Sequence, residues 1–79
     1  MDVRDLINID PEVLGSQPVF KGTRVPIETV FDHLEAGESI DDFLDQFPSV
    51  SKQQAIAVLE IAGKLMSSKN VVKLYEAAA

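Results

Sequence analysis

Few residues in this chain have the chemistry to make or break bonds. There is one histidine, His33, and no cysteine. A histidine or thiolate metal site needs several such ligands at short spacing. A Ser-His-Asp triad needs its histidine beside a nucleophile. Neither pattern is present, so no catalytic residue, metal ligand or cofactor is assigned. Asp41, Asp42 and Asp45 are close in sequence but read as a helix cap and a wet face, not as a paired acid and base. His33, next to Asp32 and off the apolar stripe of its helix, reads as a solvated side chain. What remains can bind rather than react. Lys52, Gln53 and Gln54 form one polar run, and Arg4, Lys21 and Arg24 are the bases of the N-terminal third. Glutamine is a good reader of adenine, and lysine of guanine or phosphate.

Two of these groups have a purely structural reading. Gly22-Thr23-Arg24, with Lys21 before it, is either a phosphate-holding turn or a tight turn out of a strand, with Arg24 paired to a carboxylate such as Asp10. No Gly-x-x-x-x-Gly-Lys pattern is present, which excludes a Walker-type nucleotide loop. Gln54 is either a base-reading side chain or the second half of a capping box, with Lys52 simply solvated.

The chain has 79 residues and a net charge of −6. The charge is uneven. Residues 28–50 carry Glu28, Asp32, Glu35, Glu38, Asp41, Asp42 and Asp45 with no lysine or arginine. All seven bases lie in the two ends. The middle repels phosphate while the ends can meet it. The length allows one core and one domain. No apolar run reaches the ~20 residues of a membrane span, and the N-terminus lacks a signal-peptide pattern. The expected setting is cytoplasmic, with no membrane partner.

The elements that must position the binding residues follow from periodicity. Ile7-Asn8-Ile9 and Val19-Phe20 are short β-leaning runs around a turn-rich loop. Such strands are marginal alone and need a sheet edge or a helical face. Pro26 suits the first turn of a helix. Ile27, Val30, Phe31 and Leu34 then make one apolar stripe, ended by Gly37 as a left-handed cap. Ser39 and Asp42 frame a second helix with the stripe Ile40, Phe43, Leu44 and Phe47, stopped by Pro48. Phe47→Ala is expected to cost ~3–5 kcal/mol if that ring is core. Ser51 and Gln54 form a capping box for a third helix, with Val50 and Ala55 as a hydrophobic staple. Its face is Ala55, Val58, Leu59, Ala62 and Met66, widened by Ile56, Ile61 and Leu65. Fraying or a stop is expected near Ser67-Ser68-Lys69-Asn70. Val71, Val72, Leu74 and Tyr75 form a second apolar patch.

The expected fold is therefore mainly α: a three-helix, homeodomain-like helix-turn-helix bundle with a short N-terminal β-arm. Residues 1–79 make one domain, divided into arm and loop (1–25), bundle (26–66) and C-terminal tail (67–79). The third helix would be the recognition helix, with Lys52 and Gln53 exposed at its start.

The run Ile9-Asp10-Pro11-Glu12-Val13, then Gln17-Pro18-Val19-Phe20-Lys21-Gly22-Thr23-Arg24-Val25-Pro26-Ile27, then Leu34-Glu35-Ala36-Gly37-Glu38-Ser39-Ile40, then Phe47-Pro48 and Ser51, resembles the bacterial and archaeal "domain of unknown function 433" family. The likeness runs from about Ile7 to Ala62. Its most specific parts are Pro-x-x-x-Gly-Thr-Arg and the Gly-x-Ser before a short helix that ends in aromatic-Pro. The family usually has two glycines where this chain has Gly15-Ser16, and often Tyr where it has Phe47. The resemblance implies a homeodomain-like helix-turn-helix and a role like that of VapB antitoxins, encoded beside a PIN-like nuclease toxin. On that reading the chain is not an enzyme. Lys52, Gln53, Arg24, Lys21 and Arg4 would contact operator DNA. Val71, Val72, Leu74 and Tyr75 would hold the toxin, and the N-terminal strands would pair two chains into a homodimer. The competing reading is a protein–protein module without a nucleic-acid role, which the acidic middle favours.

Overall fold

The computed structural model describes residues 2–12 and 14–78, with Leu14 by its backbone alone. Val13, part of the family-like run, and Ala79, the end of the expected tail, lie outside the described residues. Among the described residues the chain is mainly helical, with five helices and one two-stranded sheet.

Helix α1 (Val3–Leu6) precedes the first strand, where the sequence reading placed only an arm. Asp2 caps it, its carboxylate accepting from the Arg4 amide at 2.9 Å. Strand β1 (Ile7–Asn8) runs antiparallel to β2 (Val19–Phe20), with Ile7 opposite Phe20 and Asn8 opposite Val19. The two strands thus pair with each other within the chain. A 3-10 turn (Leu14–Ser16) lies between them, with Gly15 and Ser16 both left-handed at φ 64° and 70°. Ser16 is the position where the resembled family usually has its second glycine.

After β2 the chain turns sharply. Gly22 adopts φ 80°. The Thr23 hydroxyl donates to the Phe20 carbonyl at 2.8 Å and accepts from the Val25 amide at 3.0 Å. Gly22-Thr23-Arg24 is therefore a tight turn tied by its threonine. Among the described residues Arg24 has no carboxylate partner, and the Asp10 carboxylate instead accepts from the Glu12 amide at 2.9 Å. Pro26 does not open the next helix as expected. It pairs with Val19 as an isolated bridge, and the Ile27 amide donates to the Pro18 carbonyl at 3.0 Å. The sheet claims these residues before the helix can.

Helix α2 (Glu28–Glu35) ends at Gly37, which takes the expected left-handed φ of 84°. A Cβ there would meet nothing within 4 Å, so Gly37→Ala is strained by backbone alone and should cost ~1–2 kcal/mol, read as a shift in the urea midpoint. Helix α3 (Ile40–Gln46) and helix α4 (Lys52–Met66) both begin with the anticipated capping boxes. Ser39 and Asp42 exchange bonds of 3.1 and 3.3 Å, and Ser51 and Gln54 exchange two of 3.0 Å. Each box satisfies two amides that the first helical turn leaves without partners. The expected tail forms helix α5 (Lys69–Ala78), joined to α4 by Ser67 and Ser68 alone.

One core unites these elements. Leu6, Phe20, Val30, Phe43, Val50, Ala55 and Val58 are buried together, so α1 and β2 contribute to it alongside α2, α3 and α4. The aromatic centre is Phe43, with ring centroids 6.0 Å from Phe20 and 5.2 Å from Phe47. The apolar face read for α4 is too long. Met66 is 68% exposed and Leu65 60%, because the bundle ends before the last turn of α4.

Candidate nucleic-acid interface

The start of α4 carries the polar run, and the way the chain folds there leaves it open. Ser51 caps the helix from below, Val50 and Ala55 are buried beside it, and Lys52 and Gln53 point to solvent. The condition for nucleic-acid contact, that these two side chains not be occluded within the chain, is met. The positive end of a 15-residue helix lies at the same place, which favours an anion there.

Gln54 does both of the structural jobs open to it. Its carboxamide oxygen accepts from the Ser51 amide at 3.0 Å, closing the capping box. Its amide nitrogen donates to the Lys21 backbone carbonyl at 3.1 Å. That second bond fastens the turn after β2 to the beginning of α4. The Lys21 ammonium in turn donates to the Arg4 carbonyl at 3.2 Å. Arg4, Lys21 and the first turn of α4 thus belong to one connected surface, with Arg24 three residues further along the same turn. All of Arg4, Lys21, Arg24, Lys52 and Gln53 are exposed. Sequence reasoning chose these residues singly; the fold links the turn that carries Lys21 and Arg24 to the start of α4 through Gln54, while Lys52 reaches Asp41 on α3.

Lys52 is not simply solvated. Its ammonium lies 3.3 Å from the Asp41 carboxylate on α3, with both side chains more than half exposed. An ion pair of this exposure is worth ~0–1 kcal/mol, so a phosphate can compete for the lysine at small cost.

Two residues were misread. Ile56 was assigned to the apolar side of α4, yet it is 41% exposed. With Gln53 and Glu60 it forms an exposed line at i, i+3 and i+7 along the outer face. Its offset by one position from the stripe Ala55, Val58 and Leu59 was the available signal. His33 is not solvated: its side chain is only 16% exposed. It packs edge-on to Phe43 and Phe47, at centroid distances of 5.5 and 5.7 Å, and its Nδ1 pairs with the Glu38 carboxylate. The buried face of α2 is centred on Val30 rather than Leu34, which is 36% exposed, and that rotation brings His33 against α3.

The apolar patch assigned to a partner sits on α5. Val71 is half-buried, while Val72, Leu74 and Tyr75 are 52%, 70% and 76% exposed. Helix α4, 15 residues and so roughly 22 Å long, has Lys52 at its first residue, and α5 begins beyond its other end.

No helix of the described residues is long and apolar enough to cross a membrane. The chain is similar to the uncharacterized protein y4eO of Sinorhizobium fredii (strain NBRC 101917 / NGR234), with 35% identity over 51 residues. Those residues are 65% of this chain, which spans about a quarter, 23%, of that relative's length. No solved structure matches the chain. The family model described as protein of unknown function (DUF433) matches residues 7–62, the stretch that runs from β1 through the base-bearing turn and the capped start of α4, and the chain belongs to that family.

Proposed function

We propose that the chain is a non-enzymatic, antitoxin-like module that binds operator DNA through the start of α4 and a protein through α5. The observation that carries the DNA half is the exposed run Lys52-Gln53 at the start of α4, to which Gln54 bonds the turn bearing Lys21 and Arg24, both exposed. On this reading α3 and α4 act as a helix-turn-helix, with α3 supporting and α4 entering the major groove. On the same reading Gln53 would read an adenine edge, Ile56 would meet a thymine methyl and Lys52 would take a phosphate or guanine, and all three are exposed. A PIN-like nuclease toxin is the α5 partner that the family resemblance implies.

The test is a gel shift with the DNA upstream of the chain's own reading frame. Gln53→Ala should weaken binding ~5–150-fold at the bases it reads. Lys52→Ala should weaken binding evenly across sequences and lower the salt slope by ~1. Both variants should melt like the parent, since neither side chain is core. Unchanged affinity in both would remove α4 from any DNA role. The second reading, a protein-binding module alone, is favoured by the Lys52–Asp41 pair, which holds an acidic group beside the would-be DNA face. It predicts no shift with any operator fragment.

A further inference from the structure

We propose that α5 of one chain seats its apolar face in a groove between α1, α2 and α4 of a second copy, and that the second copy returns the same contact. This rests on the reading of α5 as the protein-binding element and puts a second copy of the chain, in place of a toxin, on its apolar face.

The groove is an open cavity of about 260 Å³ walled by residues such as Val3, Leu6, Phe31, Val58, Ile61 and Leu65. It is smaller than the ~300–1,000 Å³ of small-molecule sites, and it offers a ligand no charged wall. It suits side chains of a docked helix instead. No residue of α5 lines it. Among the described residues α5 has no fully buried side chain, and only Val71 on its apolar stripe is half-buried. Val71, Leu74, Tyr75 and Ala78 recur at i, i+3, i+4 and i+7 along it, one apolar stripe. Lys69, Lys73 and Glu76 fall on the opposite side and would stay in water.

The chain's own α5 is held away from the groove. The Ser67 amide donates to the Gly63 carbonyl at 3.1 Å, and the Ser68 hydroxyl donates to the Leu65 carbonyl at 2.7 Å. These bonds close the two-residue junction in a helix-like turn. Helix and groove are thus both unpartnered on one chain, and a two-fold exchange satisfies both without remainder.

Surface area points the same way. The chain exposes 5696 Å². A compact monomer of 8.6 kDa exposes about 4,700 Å². The excess of roughly 1,000 Å² exceeds the ~800 Å² that each partner gives to a standard interface. Charge has the right sign as well. The α2 rim beside Phe31 carries Glu28, Asp32 and Glu35, all exposed, and α5 brings Lys69 and Lys73, a local pairing of opposite charge at the contact between chains whose net charge is −6 each.

Sedimentation equilibrium of the full chain, without DNA, reads the mass directly. The parent should be a dimer. Leu74→Asp should fold, because Leu74 is 70% exposed, and should raise the dimer dissociation constant on the order of 30-fold or more. The chain has no cysteine, which allows a second arm. Chains bearing Leu74→Cys and chains bearing Ala62→Cys, mixed and mildly oxidised, should form the mixed disulfide. A parent monomeric at every concentration would overturn the proposal. So would a Leu74→Asp dimer as tight as the parent, which would move the contact elsewhere, such as the β1 edge. So would closure of the disulfide within one chain that carries both cysteines. Because no DNA is present, these outcomes are independent of whether the operator is bound.

Discussion

Phe43→Ala should lower the unfolding free energy by ~3–5 kcal/mol, the range for removing a buried ring from a core that cannot close over the gap. Phe43 is fully buried and touches elements from three parts of the chain: Phe20 on β2, His33 on α2 and Phe47 after α3. A domain of 79 residues has a total stability of ~4–12 kcal/mol. The loss therefore takes a quarter or more of what holds the fold. Urea denaturation should show a lower midpoint at an unchanged slope, and the melting temperature should fall by about 12 °C or more. Phe47→Ala should cost less than the full range, because that ring is only half-buried. Equal costs at the two positions would mean that α3 is packed differently from the structure described.

Removing Arg4, Lys21 and Arg24 together, as the triple alanine variant, should cut operator affinity on the order of 100-fold at low salt and reduce the slope of log affinity against log salt by ~3. Each of the three bases is exposed, and the structure ties two of them to each other and to α4 by backbone-directed bonds. Losing three positive charges takes the net charge from −6 to −9, so the remaining surface repels DNA more strongly as well. Stability should change little, since the one bond lost, from the Lys21 ammonium to the Arg4 carbonyl, is exposed. An unaltered salt slope would show that these bases do not meet phosphate, and would leave the protein-only reading.

Local signals in the sequence carried the helices well. The Ser39/Asp42 and Ser51/Gln54 boxes, the stop at Pro48 and the left-handed Gly37 depend on residues a few positions apart, and the structure forms each of them. Signals that depend on distant neighbours were not legible. Pro26 looks like a helix opener until Val19, seven residues back, bridges to it. His33 looks solvated until Phe43 and Phe47 arrive from α3. The exposure of Met66 follows from where the bundle ends, which periodicity alone does not mark, whereas the outward turn of Ile56 was legible in its one-position offset from the stripe. The four-residue α1 is too short for a periodic signal, although its Asp2 cap is a local one. For the candidate site, the residue types could be picked from the sequence. The fastening of the Lys21 turn to the start of α4 could not, because it depends on a bond between residues 33 positions apart.

That bond has a practical corollary. Gln54 grips the main chain at position 21 and leaves the side chain there alone. What fastens the joint and what would touch a ligand are thus different atoms. Charge can therefore be rewritten at the exposed positions 21 and 24 of the turn while the joint beneath keeps its shape.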